Sequence, residues 1–344
     1  MVSGIEQSRQ FGAWIGSART AGNPDWLVGF WKLTLEWRWL FGERQCRKNP
    51  GSISIKFGAH SCRDYDIAGK RPAGVGQVLN VISDMKINAA PLCIVADGYG
   101  LSPGVNQAIR TLLSEGKVRG TGCMTVFADW RDEASLLLPV IDRCGGAIGL
   151  HLTLTNFLPL SGVQPMCSFR RRLTQSFMGG VDKGKLQREL DAQLNAFIDV
   201  IGRVPDYIDG HQHIHFLPVV REWLVARRDL LISPRGNSPW LRGEPDARLA
   251  TSLAQRAKIS LVQRMARGFN TEMQAAGYTI KGPLTGFYER GKPNGFADAL
   301  RYFRSHAPRD AVVMCHPGHS DAILRARDRL MMAREVEFAE LMRQ

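Results

Sequence analysis

The sequence lacks several features that would assign it to a common class. Its seven cysteines are scattered and form no Cys-x-x-Cys pair, which argues against a disulfide framework or a structural zinc knuckle and favours a reducing, cytoplasmic location. No apolar run approaches the roughly 20 residues that a membrane-spanning helix needs. Neither a GxxxxGK[ST] phosphate loop nor a GxGxxG turn between strand and helix is present, so the nucleotide-binding classes defined by them are not indicated.

The charge is unbalanced but carries little information about function. There are 45 lysines and arginines against 32 acidic residues, a net charge of +13. The basic residues are spread along the chain and do not interleave with aromatic residues, as they would in a single-strand binder. We therefore expect no nucleic-acid partner. The alternative of a nucleic-acid-binding protein rests on charge alone and predicts strongly salt-dependent DNA binding.

The first 84 residues differ from the rest. They hold five of the eight tryptophans, and turn formers and charges interrupt each apolar stretch. We predict an irregular, poorly ordered N-terminal extension over 1–84, which is non-native if the true start is Met85, and a folded domain over 85–344. A mature N-terminus near Met1 in mass spectrometry would contradict the later start. An interfacial amphipathic helix at 26–41 is the alternative for this extension.

From Met85 onward, predicted strands alternate with predicted helices. The strands are expected at 92–96, 121–127, 147–155, 207–209, 230–233 and 311–315, and the helices at 105–114, 129–143, 186–201, 218–227, 248–276 and 328–342. This alternation predicts an α/β fold with a parallel sheet and right-handed crossovers. Polar residues follow several separate strands, which favours a closed barrel over an open sheet.

Two of these strands carry a polar residue near the end. Asp97 directly follows a buried strand, which would bring its carboxylate over the mouth of the sheet; an Asx turn or helix cap is the alternative. His151 lies in an apolar strand, where it is either a metal ligand or a hydrogen-bonded core residue.

The richest cluster is an acid and three histidines at every second position: Asp209, His211, His213 and His215. In a strand, all four side chains would point to one face. Burying so many polar groups without a purpose is costly, so we predict a metal or acid–base site. The spacing does not decide which imidazoles bind an ion and which orient a ligand.

His316 follows the last predicted strand, where Pro317 and Gly318 turn the chain, whereas His319 is better explained as a surface loop residue. Imidazoles and carboxylates together suit Zn²⁺, Ni²⁺, Co²⁺ or Mn²⁺, and Mg²⁺ with waters also fits. Such an ion activates water and polarises a carbonyl, while a carboxylate and a histidine move protons. The residues predict a metal-assisted hydrolase of an amide or ester. A phosphoester hydrolase is less favoured, since a second acidic cluster is missing.

Four segments in this order resemble the YdjC-like carbohydrate deacetylase family, which includes chitooligosaccharide deacetylases and hopanoid-biosynthesis-associated deacetylases. They are ADGYGLSPGVNQAI (96–109), AIGLHLTLT (147–155), DGHQHIHFLP (209–218) and VMCHPGH (313–319). The resemblance implies a distorted TIM-like barrel of the polysaccharide-deacetylase type. It also implies removal of an N-acetyl group from an N-acetylated carbohydrate with a divalent metal, usually Mg²⁺, with Zn²⁺ or another transition metal as alternatives. A homo-oligomer is compatible with this assignment.

The resemblance also implies roles for individual residues. His151 and His211 match the two metal-binding histidines of the family, Asp97 matches the general base, and His316 matches the general acid. The second acid of the family motif falls at position 98, where this chain has Gly98. A carbohydrate deacetylase and a sugar-binding relative with weakened catalysis therefore both stay open.

The remaining polar residues of the motifs have supporting roles in this interpretation. Asp209, His213 and His215 are expected to orient metal ligands or to contact substrate. Three aromatic residues are candidates for stacking on sugar rings and are equally explained as core or rim residues: Phe216, Tyr288 and Trp240.

Overall fold

The computed structural model of the protein describes residues 92–292, 294–328 and 330–344. The predicted extension over 1–84 and the alternative helix at 26–41 lie outside these residues.

Within the described residues, eight short parallel strands form one sheet. They are β1 Cys93–Tyr99, β2 Gly120–Cys123, β3 Ala147–Leu152, β4 Tyr207–Gly210, β5 Trp240–Arg242, β6 Ile280–Lys281, β7 Leu284–Thr285 and β8 Val312–Cys315. Their order in the sheet is β6-β5-β4-β3-β2-β1-β8-β7. The central strands β1, β3 and β4 are buried on both faces, as expected for parallel strands that helices cover.

The two edges of this sheet come together. Only Gly282 and Pro283 separate β6 from β7, although these strands stand at opposite ends of the order. Leu284 donates its amide hydrogen to the carbonyl of Glu244 at 3.1 Å and forms a parallel bridge with Pro245, just after β5. The sheet is therefore a nearly closed barrel, and the predicted TIM-like α/β fold is confirmed.

Ten α-helices surround the strands in the described part of the chain. They are α1 Pro103–Ser114, α2 Trp130–Cys144, α3 Phe169–Met178, α4 Lys183–Ile201, α5 Pro218–Ala226, α6 Leu253–Ala266, α7 Phe269–Ala275, α8 Gly295–His306, α9 Ala322–Arg327 and α10 Met331–Arg343. Side-chain caps begin several of them: Ser102 accepts from the amide of Val105, and Asp182 accepts from that of Lys185. Across these described ranges, no helix combines the length and the apolar character needed to cross a membrane.

Two local predictions are wrong. The predicted strand at 230–233 is replaced by a 3₁₀ turn, Arg228–Leu231, and the strand of this region is β5, which begins ten residues later. The predicted helix at 248–276 is divided, because Gly268 adopts a φ of +79° between α6 and α7. The missed strand matters because it carries a residue of the site.

Apolar side chains fill the N-terminal end of the barrel. Val95, Tyr207 and Val312 form a buried cluster, and Trp240 packs against it with its ring stacked 4.4 Å from that of Tyr207. Phe216 is also fully buried, 5.0 Å from the ring of Phe269. Phe216 is therefore a core residue and Trp240 packs against the core, whereas Trp240 and Tyr288 both stay partly exposed.

Candidate active site

The polar residues lie at the opposite, C-terminal end of the strands. Asp97 belongs to β1, His151 to β3, Asp209 to β4 and Arg242 to β5, and His316 directly follows β8. The first four are at most 3% exposed. Because the strands are parallel, residues distant in sequence converge on one mouth of the barrel, the usual location of active sites in this architecture.

Asp209 holds His151. The two residues are paired in register between β3 and β4, and the Nδ1 of His151 lies 2.6 Å from the Oδ1 of Asp209. A carboxylate only accepts, so Nδ1 carries the hydrogen and Nε2 is left as the nitrogen that can bind an ion. Burial acts to lower the pKa of His151, but the charge and hydrogen bond of Asp209 outweigh it and raise that pKa.

Gly122 on β2 makes room for this pair. A Cβ at this position would lie 3.2 Å from the Nδ1 of His151 and 3.4 Å from the Oδ1 of Asp209. Any other residue would press on the imidazole and on its carboxylate partner, so a small residue in the neighbouring strand is part of how the pair is positioned.

Arg242 links the two carboxylates of the site. Its Nη1 and Nη2 each donate to one oxygen of Asp97 at 2.6 Å, and Nη2 lies 2.5 Å from the Oδ2 of Asp209. This bidentate, fully buried guanidinium compensates the negative charge and fixes the plane of Asp97.

Sequence reasoning missed Arg242, although the sequence contains a signal for it. Asp97, Asp209 and Arg242 share one local pattern, a charged residue that follows apolar strand residues and directly precedes a glycine. Strand β5 has only three residues, which is too short for a periodicity to be recognised.

The three histidines after Asp209 do not continue the strand, so the predicted common face is wrong. β4 ends at Gly210, and His211–Phe216 form a 3₁₀ turn in which Gln212 and His213 have φ values of +54° and +62°. A Cβ at Gly210 would lie 2.9 Å from the backbone nitrogen of His215, so the chain folds back there more tightly than a side chain allows.

His211 nevertheless lies beside His151. The centroids of the two rings are 5.9 Å apart. Burial, assisted by the charge of His151, lowers the pKa of His211 to about 3. His211 is therefore a neutral imidazole at ordinary pH, the form that binds metal ions.

His213 and His215 have different surroundings. The Nε2 of His215 lies 3.2 Å from the backbone carbonyl of Arg242, so His215 supports the end of β5. The ring of His213 lies 5.6 Å from that of Phe287, and its buried Nδ1 has no hydrogen-bond partner. Burial lowers the pKa of both histidines.

His316 is held by helix α10. Its amide donates to Glu337, and its carbonyl accepts from the Nη1 of Arg334 at 3.3 Å. Burial, followed by the nearby charges of Arg290 and Arg334, lowers the pKa of His316. The imidazole is therefore neutral at rest.

Metal-ligand atoms are close enough for an ion in one group of described residues. Atoms of Asp97, His151 and Asp209 lie within 4.8 Å of one another. This group differs from the predicted pair of His151 and His211. Arg242 already contacts both of its carboxylates, so a cation between them would meet the positive guanidinium.

A model of the YdjC-like protein family matches residues 91–344. The chain belongs to this family. This YdjC-like protein is 33% identical over 136 residues to a chitooligosaccharide deacetylase of an Enterobacter species, a match that covers 38% of this chain and 52% of that relative. The chain thus spans about half the length of that relative.

Two further comparisons cover more of the chain. A chitooligosaccharide deacetylase of Yersinia enterocolitica is 27% identical over 250 residues, 68% of this chain and 83% of that protein. The fold resembles the crystal structure of an Enterococcus faecalis protein provisionally named a cellobiose-phosphate cleavage protein, with a TM-score of 0.51 and 20% identity over 73% of this chain and 89% of that one. At this identity, the structural likeness concerns the fold alone.

Proposed function

We propose that this YdjC-like protein is a metal-dependent hydrolase that cleaves a carbon–nitrogen bond, removing N-acetyl groups from a carbohydrate that contains an amino sugar. The observation that carries the proposal is the pairing of His151 with Asp209, which leaves one imidazole nitrogen for an ion beside the ring of His211. The relatives named chitooligosaccharide deacetylases support the substrate class.

We assign a divalent cation to His151 and His211. Two imidazoles, one of them oriented by a carboxylate, are a suitable donor pair for such an ion, which would displace the extra proton that Asp209 favours on His151. We favour a position beside the two imidazoles over the space between Asp97 and Asp209, because Arg242 already compensates the charge of those two carboxylates. Mg²⁺ is the ion expected from the family, with Zn²⁺ or another transition metal as the alternative.

The proton transfers fall to Asp97 and His316. When bound, the ion would supply Lewis-acid activation of the amide carbonyl and of water. Asp97 accepts the proton of the attacking water: a carboxylate has about four lone-pair sites, and Arg242 occupies two of them. His316 donates a proton to the departing amine. Because His316 is neutral at rest, the proton it gives to the amine would be the one that Asp97 took from the attacking water, passed on before the carbon–nitrogen bond breaks.

The other polar residues support the two proposed metal ligands and the two proposed proton-transfer residues. Asp209 orients His151, and His215 positions Arg242 through its backbone carbonyl. The unpartnered Nδ1 of His213 is the group we assign to a polar contact with the sugar.

Gly98 favours the second candidate, a sugar-binding relative with weakened catalysis, because it supplies no carboxylate at a position where the family has one. This alternative predicts binding of N-acetylated oligosaccharides without acetate release at any metal concentration.

The test is acetate release from N-acetylglucosamine oligomers by the full chain, with Mg²⁺, Mn²⁺, Co²⁺ and Zn²⁺ in turn. We expect metal-dependent release that is lost in His151→Ala and His211→Ala. His306→Ala, at an exposed helix end, is the matched control and should keep full activity. Undiminished release in His151→Ala would refute the metal assignment, and binding without release would select the second candidate.

The cytoplasmic location and a homo-oligomeric state stay predictions. The five cysteines in the described part of the chain are free thiols: Cys93, Cys123, Cys144, Cys167 and Cys315.

A further inference from the structure

The two imidazoles of the proposed metal site are held in different ways. The Nδ1 of His151 is bonded to Asp209, whereas no hydrogen bond from the described residues reaches either ring nitrogen of His211. In this part of the chain, the ring of His211 packs against those of His151, at a centroid distance of 5.9 Å, and Phe157, at 5.8 Å and an angle of 46°. The orientation of His211 therefore depends on ring packing.

Phe157 has little freedom to move. Its amide donates to the carbonyl of Thr155 and its carbonyl accepts from the amide of Met166, both at 2.8 Å. Its ring makes an edge contact with that of Phe127, with 5.0 Å between the centroids, and the guanidinium of Arg327 lies 4.1 Å from the centroid of the Phe127 ring. Both kinds of contact are attractive. The ring of Phe157 is therefore a supported surface.

The segment that carries Phe157 also holds the turn that carries His211. Asn156 has a φ of +67°, which turns the chain shortly after strand β3. The hydroxyl of Thr155 donates to the Oε1 of Gln212 at 2.9 Å. Three consecutive residues after β3 thus contact two consecutive residues of the turn after β4, Gln212 by a hydrogen bond and His211 by a ring contact.

We propose that Phe157 is a positioning residue of the metal site: its side chain holds the imidazole of His211 in the orientation that binds a cation, as Asp209 does for His151 by a hydrogen bond. The inference rests on the proposed metal site and adds a residue in contact with one of its ligands. A side chain that is ordered beforehand loses less conformational freedom on binding. Removing a group that orients a ligand weakens metal binding about 10–100-fold, and for an apolar contact we expect the lower end, about tenfold.

The experiment is isothermal titration of the full chain with Mn²⁺. Phe157→Ala removes the ring, and we expect Mn²⁺ to bind about tenfold more weakly. Phe157→Leu keeps an apolar side chain of sufficient length against the imidazole and should retain most of the affinity. Leu158→Ala, at the next position of the same loop and 56% exposed, is the matched control and should bind as the wild type does.

A double-mutant cycle separates this role from a general effect on the fold. In a His211→Ala background, adding Phe157→Ala should cause no further loss of Mn²⁺ affinity, because there is no imidazole left to orient. The same loss in both backgrounds would overturn the inference. Should His211→Ala bind too weakly to titrate, Phe157→Leu decides: an affinity as low as that of Phe157→Ala would also overturn it.

The outcomes separate the inference from the proposed function. If the wild type binds Mn²⁺ and Phe157→Ala binds it equally well, the inference fails and the metal site stands. If the wild type binds no Mn²⁺, Co²⁺ or Zn²⁺, or if His211→Ala binds as tightly as the wild type, the proposed metal site itself fails. Should Phe157→Ala not fold, Phe157→Val replaces it: the shorter side chain should bind Mn²⁺ more weakly than Phe157→Leu, and equal affinities would overturn the inference.

Discussion

Replacing Arg242 by methionine tests whether the buried charges of the barrel mouth depend on one another. The variant keeps a long side chain but leaves Asp97 and Asp209 without the guanidinium that contacts both. These carboxylates are 3% and 0% exposed, so water cannot replace the lost partner. Removing one member of a buried ion pair costs about 3–5 kcal/mol. In a domain of this size, that corresponds to a melting temperature lower by about 6–20 °C.

The loss of stability in Arg242→Met should depend on pH in a defined direction. In the wild type, burial acts to raise the pKa of Asp209, but Arg242 and then His151 bring it below its usual value. Without Arg242, the effect of burial is less opposed and the pKa of Asp209 is higher. The folded variant therefore binds a proton at Asp209 more tightly than the wild type does. The destabilisation is therefore largest near neutral pH and becomes smaller as the pH falls toward about 5.

The assay is urea unfolding of wild type and Arg242→Met at about pH 7 and about pH 5, with Arg227→Met as the matched control. Arg227 pairs with Asp191 at 2.8 Å, but both side chains are about one-third exposed, at 34% and 31%. Partly exposed pairs contribute about 0–1 kcal/mol. The reasoning is refuted if Arg242→Met loses no more stability than Arg227→Met, or if its loss grows on acidification.

Two further predictions follow from the same barrel. In Gly149→Ala, the new Cβ would overlap the ring of Tyr207, so we expect a loss of about 1–3 kcal/mol in thermal unfolding, whereas Gly291→Ala, with no atom within 4 Å, should be neutral. Because the pKa of His151 is raised, a proton competes for its Nε2, and Mn²⁺ affinity should fall as the pH drops through the raised pKa of His151. Asp209→Asn removes the cause of that shift and should move the fall to lower pH; an unchanged midpoint in a pH series of titrations would contradict this assignment.

Much of the site could be predicted because it depends on local pattern. Apolar runs that end in Asp97 and before His316 identify strand ends, and parallel strands bring those ends to one side of the sheet. His151 and His211 could be paired from the family motifs, and their rings lie close together in the barrel.

The histidines at every second position after Asp209 do not share one face, and the reason is physical. Residues at every second position share a face only in an extended strand. Here the close approach at Gly210 and the positive φ values of Gln212 and His213 turn the chain instead. Each histidine therefore meets different neighbours.

By itself, the sequence determined the strand–helix alternation, the family, and the acid and histidines at the strand ends, because these follow from short-range pattern. Only the tertiary structure decided which charges neutralise one another. Arg242 contacts Asp97 across 145 residues of sequence, and Arg334, paired with Asp328, lies close to the turn at Gly98 although it belongs to the last helix. Such pairs form because barrel closure brings distant strand ends together in a buried space, where an unpaired charge is too costly to remain.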